Sequence, residues 1–262
     1  MECATEAAAG RVEVYKERNC SMRYIAWFSC GAASAVAAKK ALERHPGQTT
    51  IVYCDTSASE HPDNVRFLAE CEGWFGQKVV VLRSEKFTSV DDVFEQTRYM
   101  SGVAGARCTA EMKKLPRYAF QRPDDVHIFG FTADEQKRVA TFEANNFELN
   151  LEWLLVEDGT TKQDCYRELL NAGIALPEMY LMGYRNNNCL GCVKATSPKY
   201  WAKIREDFPE IFERRARQSR EIGCRLTRIK GKRIFLDELP DEDFGRYKLE
   251  NISCGPECYG GG

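Results

Sequence analysis

No stretch of this sequence approaches the roughly 20 consecutive apolar residues needed to span a bilayer. Its opening, MECATEAAAGRVEVYKERNC, lacks the basic segment and apolar block of a secretory leader. These absences argue against a membrane protein and a secreted one, and the expected compartment is cytoplasmic. Charge of one sign is missing too: 37 basic and 39 acidic residues leave a formal net charge of −2. A chain so balanced has no broad field drawing it to nucleic acid or anionic lipid, so a polyanion must be held locally. No internal repeat or low-complexity run is present. Cysteine, by contrast, is abundant, with 12 in 262 residues. Secreted disulfide frameworks occur in small chains without a core, whereas 44% hydrophobic content over this length can bury one substantial core, with or without a small appended unit. Reduced thiols, a metal or a cluster are the better readings.

The hydrophobic pattern predicts strands at residues 23–28, 49–54, 78–82, 126–131 and 151–156, separated by segments of helical spacing. Strands alternating with helices imply an α/β fold, a Rossmann-like parallel sheet with helices on both faces. Residues 1–21 are mixed and polar and read as an extension or an alternative start. Residues 22–183 form the expected nucleotide-binding domain. Residues 184–262 form a C-terminal cysteine-bearing helical subdomain and tail, with one or two charged helices over 197–223 and a pair of short strands after them.

Ser29, Gly31 and Ser34 lie in SCGAAS, which joins the first strand to the first helix. Ligands bind at that edge of a parallel sheet, and small residues let backbone N–H groups and serine hydroxyls approach a phosphate at a helix N-terminus. The same residues also serve a tight turn with no ligand. Asp55-Thr56 ends the second strand, where an aspartate can equally cap the next helix.

SCGAAS resembles the PP-loop, usually SGGxDS, of ATP pyrophosphatases and phosphoadenylyl-sulfate (PAPS) reductases. The chain is thereby similar to the adenine nucleotide alpha-hydrolase-like superfamily. Cys30 stands where a second glycine is common, and Ala33 where ATP-cleaving members carry an aspartate. Asp55-Thr56 is similar to the family's D-T-G-like element beside the adenosine. Arg107-Cys108-Thr109 with Lys113 and Pro116 resembles R-C-T-x-x-x-K-x-x-P, and the GFTADE stretch with Arg138 resembles GFRADE-x-x-R, whose arginine suits phosphate or sulfate. The resemblance implies that Ser29, Gly31, Ser34, Asp55, Thr56, Lys113 and Arg138 contact an adenine nucleotide, which is PAPS, adenylyl sulfate (APS) or ATP.

Cys189-Leu-Gly-Cys192 is a C-x-x-C on a turn-forming segment. In the superfamily a cysteine like Cys108 and a later C-x-x-C commonly ligate a [4Fe–4S] cluster, which implies Cys108, Cys189 and Cys192 as metal ligands. Zinc on the same thiolates, or no metal, stays open. Family reductases carry a nucleophilic cysteine in a C-terminal E-C-G-x-H tail. Here Glu257-Cys258 keeps its first two letters and no histidine follows. Cys258 and Arg138 are the catalytic candidates, with a Cys254/Cys258 redox pair as the other reading of the tail.

The expected function is an oxidoreductase that reduces PAPS or APS, served by a thioredoxin-like electron donor. One alternative is an ATP-dependent sulfurtransferase that thiolates tRNA or DNA; another is a non-catalytic nucleotide-binding regulator. A basic run, Arg214, Arg215, Arg217, Arg220, Arg225, Arg228, Lys230, Lys232 and Arg233, reads as a solvated helix face or as a nucleic-acid surface. A homodimer is compatible with the sequence, and no membrane partner is expected.

Overall fold

Residues 22–242 and 244 are described in the computed structural model. Strand β1 (Tyr24–Phe28) runs into α1 (Ala32–Arg44), and β2 (Thr49–Cys54) leads through a 3-10 turn to α2 (Asn64–Phe75). Next come β3 (Val80–Leu82), α3 (Val90–Thr97), the small hairpin β4 (Ser101–Gly102) and β5 (Gly105–Ala106), and α4 (Arg107–Thr109). A π turn joins α4 to α5 (Leu115–Phe120). Then follow β6 (Val126–Phe129), α6 (Gln136–Asn145), β7 (Asn150–Glu152), α7 (Leu154–Glu157), α8 (Lys162–Asn171) and α9 (Glu178–Leu181). The last elements are α10 (Pro198–Asp207), α11 (Pro209–Ile222) and the antiparallel hairpin β8 (Thr227–Ile229) and β9 (Lys232–Ile234).

The main sheet has the order β3-β2-β1-β6-β7, and every pairing in it is parallel. Parallel strands need crossovers that cover both faces, and the core divides accordingly. Ala26 and Phe28 of β1 pack with Ile51, Tyr53, Ile128 and the alanine-rich side of α1. Ile25 and Trp27, one residue out of phase, pack with Val52, Phe129, Phe142 and Trp153. Ala32, Ala35, Ala38 and Ala41 are buried, and their small side chains bring α1 close to the sheet.

A third apolar layer joins Phe87, Val93, Phe94, Met100 and Met112 to Trp201, Ile204, Phe212 and Leu236. The segment after residue 184 therefore draws much of its core from residues 87–112. Among the described residues, no helix is long and apolar enough to cross a membrane.

Two strand expectations need correction. The strand expected at 78–82 keeps only Val80–Leu82. The apolar run 151–156 splits into β7 and the helical turn α7, because Trp153 turns inward, donates its indole N–H to Glu143 Oε1 at 2.7 Å, and leaves Leu154 and Leu155 buried against α1. An apolar run of six residues does not by itself distinguish a strand from a buried helical turn.

Candidate functional site

The chain leaves β1 toward β2 on one side and returns as β6 on the other, so the order of the sheet reverses beside β1. Ligands of open α/β sheets bind at such a switch point, beyond the carboxyl ends of the strands. A polar cleft lies there. Its walls are the β1 end and loop (Trp27, Ser29, Gly31, Ser34), the β6 end (Gly130, Phe131, Thr132), Glu135 and Arg138, Lys113 of the π turn, Lys162 of α8, Tyr180, and Asn186 to Cys189. It encloses about 90 Å³. That suits an oxyanion group rather than a whole nucleotide, since small-molecule pockets usually exceed about 300 Å³. A larger recess of about 520 Å³ opens beside β3, between Leu82, Arg83, Leu115 and Phe120.

Ser34 holds the loop in shape. Its Oγ accepts from Ser29 N at 3.1 Å and donates to Gly31 O at 2.9 Å, and the Ser29 hydroxyl lies 3.2 Å away. The turn-forming reading of these small residues is therefore realised in the same loop that lines the cleft. Gly130 is required by space: a Cβ there would stand 2.6 Å from the N and Cα of Ser34. Tyr180, whose hydroxyl burial pushes up to about 12, accepts from Ala32 N at 3.3 Å. Asn187 donates to Cys30 O at 2.7 Å and to Asn64 Oδ1 at 2.6 Å, clamping the cysteine-bearing loop onto the serine loop.

Cys30 has φ +54, in the left-handed region. Glycine adopts that region without strain, and burial pushes the Cys30 thiol well above its usual range. Cys30→Gly relieves about 1 kcal/mol of backbone strain and loses a similar burial contribution of about 1 kcal/mol, so its unfolding midpoint is expected to stay near that of the parent. Cys30→Val keeps the burial but places a β-branched residue at positive φ, and a loss of about 2 kcal/mol is expected in denaturant unfolding.

Three cations face the cleft. Arg138 pairs with Glu135 and stacks over Phe131 at 4.6 Å. Lys113 is buried. Lys162, the first residue of α8 after its Thr161 cap, donates to Arg185 O and to Asn186 Oδ1 at 2.7 Å. Burial lowers the Lys162 pKa to about 8, with Glu135 pulling it back up and Arg185 and Arg138 pushing it down. An ammonium of this kind is still mostly protonated at neutral pH and loses its proton as pH rises through about 8, and a bound anion would help it keep that proton.

Asp55 and Thr56 do not line the cleft. Asp55, one residue before the cap of the 3-10 turn, accepts from Ser57 N at 3.0 Å and pairs with Arg83 at 3.0 Å. Thr56 donates to Glu60 Oε1 at 2.5 Å, while Tyr53 and Asn64 donate to Glu60 Oε2 at 2.9 and 2.7 Å. Glu60 is thus the carboxylate of the cleft floor, fully engaged by neighbours. Glu60, Lys162, Tyr180 and Asn187 were missed by the motif reading. Lys162 was visible only as a residue behind a threonine cap, and Asn187 only as one of three consecutive asparagines.

Cys108, Cys189 and Cys192 are buried in the third apolar layer, and Cys189 also reaches the cleft. The turn between the last two is fixed by its surroundings. Gly191 has φ +62, and a Cβ on it would stand 2.9 Å from Ile211 Cγ2. Leu190 N donates to Ser59 O at 2.8 Å, and Cys192 N to the Tyr200 hydroxyl at 2.9 Å. Soft thiolates in an apolar layer suit an iron–sulfur cluster in kind. Among the described residues no three His, Cys, Asp or Glu side chains are gathered as a metal-ligand set. Cys254 and Cys258 lie outside the described residues. Comparison of the chain with known protein families and with curated proteins returned no match.

Proposed function

We propose that the chain is an enzyme that holds an adenine nucleotide or sulfonucleotide by its phosphate or sulfate in this cleft and carries out cysteine-dependent sulfur chemistry on it, as PAPS reductases do. One observation carries the reading: the serine loop, Lys113, Arg138, Lys162 and Cys189 line a single anion-sized cleft at the switch point of a parallel sheet. Ala33 leaves the loop without a carboxylate, and the nearby Glu60 is occupied by three internal donors. Glu135, which also lines the cleft, is paired with Arg138 and accepts from Thr132. These facts favour a sulfonucleotide over ATP cleavage, because the carboxylates lining the cleft are engaged by neighbours rather than ready to carry magnesium to a pyrophosphate.

In this mechanism the loop and the three cations orient the oxyanion, and the rest of the nucleotide extends along the strand ends. The thiolate of Cys258 attacks the sulfate sulfur, the S–O bond to the nucleotide breaks, and the nucleoside phosphate leaves with that electron pair. A second thiol, from Cys254 or a thioredoxin-like donor, then attacks Cys258, releases sulfite and leaves a disulfide. If a [4Fe–4S] cluster is bound, Cys108, Cys189 and Cys192 would hold it, and it would supply an iron able to bind sulfur.

Calorimetric titration with AMP, ATP and adenylyl sulfate tests the binding step. Lys162 is charged below its pKa of about 8, so affinity is expected to be full at lower pH and to fall as pH rises through 8. Lys162→Met is expected to weaken binding about 10-fold or more at neutral pH, as loss of one charge-assisted hydrogen bond should, and to flatten that profile. If no adenine nucleotide binds at millimolar concentration, the reading is wrong. Thiol-dependent sulfite release from adenylyl sulfate tests the chemistry, and iron and sulfide analysis after anaerobic purification tests the cluster.

A further inference from the structure

Five of the nine residues from 225 to 233 are basic, and no acidic residue lies between Glu221 and Asp237. In a chain of net charge −2 this is a local concentration of positive charge, and the fold displays it. The β8–β9 register sets Arg228 directly opposite Arg233, with Ile229 opposite Lys232. Like charges facing each other across a ladder destabilise it unless something of opposite charge lies over them. After the hairpin the nearest acidic side chains are taken: Asp237 and Glu238 pair with Arg220 at 2.6 and 3.1 Å, and that guanidinium lies 3.9 Å over Phe235.

The hairpin is also anchored rather than loose. Leu226 and Thr227 are buried, Arg228 N donates to Thr196 O at 2.9 Å, and Thr227 Oγ1 donates to the same carbonyl at 3.1 Å. Thr196 belongs to the segment that follows the Cys189–Cys192 turn. At the tip, Lys230 and Gly231 have φ +46 and +81, the positive values of a tight two-residue turn. Asparagine or glycine takes the first of these positions with less strain, yet a lysine stands there. Arg228, Lys230, Lys232 and Arg233 are all exposed.

We propose that the β8–β9 hairpin is a DNA-binding ribbon whose basic side chains hold the phosphate backbone of a duplex. A two-stranded ribbon, with strands about 5 Å apart and side chains to either side, fits the roughly 12 Å major groove of B-DNA, whereas the deep, narrow major groove of duplex RNA excludes it. Cations on both strands and at the tip then meet phosphates on both walls of the groove. The surface lies apart from the nucleotide cleft, so it stands or falls independently of the reading above.

Fluorescence anisotropy of the full chain with a labelled duplex of about 20 base pairs, between about 50 and 200 mM salt, tests it. The wild type is expected to bind with log Kd rising against log salt at a slope of about 4.5, about 0.9 for each of the five cations. Joint replacement Arg228→Gln, Lys230→Gln and Arg233→Gln is expected to lower that slope by about 2.7 and weaken binding at least about 10-fold near 100 mM salt. Arg217→Gln, an exposed cation of α11 outside the hairpin, is expected to leave both unchanged. A melting curve confirms that the variants fold, and the salt slope of the wild type provides a second measure that needs no variant. Absence of duplex binding, an unchanged slope in the triple variant, or tighter binding to single-stranded RNA or to phosphatidylglycerol vesicles than to the duplex overturns the proposal.

Discussion

On the function proposed above, Gly130→Ala is expected to weaken nucleotide binding about 100-fold, the scale set by a displacement of about 1 Å at an organised site. The added Cβ would stand 2.6 Å from the N and Cα of Ser34 and 2.8 Å from the carbonyl carbon of Ala33. These are backbone atoms, and they cannot swing aside as a side-chain end can. They begin α1, whose buried alanines fix it against the sheet. The loop must therefore move away from the end of β6, opening the distance between Ser29 and the cations beyond Gly130. Calorimetry measures the loss, and a melting curve separates it from unfolding. Ser34→Ala, which removes hydrogen bonds but adds no bulk, is expected to cost less. Binding by Gly130→Ala within about 3-fold of the parent, under 1 kcal/mol, would show that the cleft does not depend on this contact.

Arg215→Ala is expected to have the largest effect on stability, about 3–5 kcal/mol in denaturant unfolding. The side chain is 1% exposed and pairs with Asp91, donates to Gln218 Oε1 at 2.6 Å and to Gly191 O at 3.2 Å, and lies 5.2 Å over the Phe94 ring. Burial by itself would push the Asp91 carboxyl up, but Arg215 and Arg214 hold it below the usual carboxylate range. The pair's contribution is thus present above the carboxylate's unfolded value and is lost as pH falls through its lowered folded value. Truncating the arginine leaves that carboxylate partly buried without its chief partner and leaves Gly191 O without its guanidinium. Adding Asp91→Asn to Arg215→Ala is expected to recover part of the loss. A double variant as unstable as the two single effects combined would contradict this account.

How much of this was legible beforehand follows from where each group comes from in the chain. The loop from Ser29 to Ser34 was legible because a buried strand, a run of small residues and a helix are contiguous, and local order suffices to shape them. Lys113 and Arg138 were legible through motif letters. Lys162, Tyr180 and Asn187 were not, since each reaches the cleft from a separate element by tertiary packing, and nothing in their own neighbourhoods marks the destination. Asp55 is the reverse case. Its position after β2 resembled that of a nucleotide ligand, yet Arg83 and Ser57 engage it outside the cleft. In the basic run, spacing alone could not separate Arg215, which is buried and paired, from Arg228 and Lys230, which are not buried.

The position of β1 also bears on how the chain is made. Its β2 neighbour is synthesised soon after it, but its other neighbour, β6, is secured by the Arg23–Asp125 pair, whose members are 102 positions apart. While β1 has emerged from the ribosome and β6 has not, β1 has one edge unpaired, and Ile25 and Trp27 lack the Phe129 and Phe142 that later cover them. For that interval the nascent chain carries a sticky apolar edge, the kind that recruits chaperones or other chains. The serine loop after β1 is translated ahead of Gly130, Arg138, Lys162 and Asn187, so the cleft they line together cannot close until all of those residues have emerged.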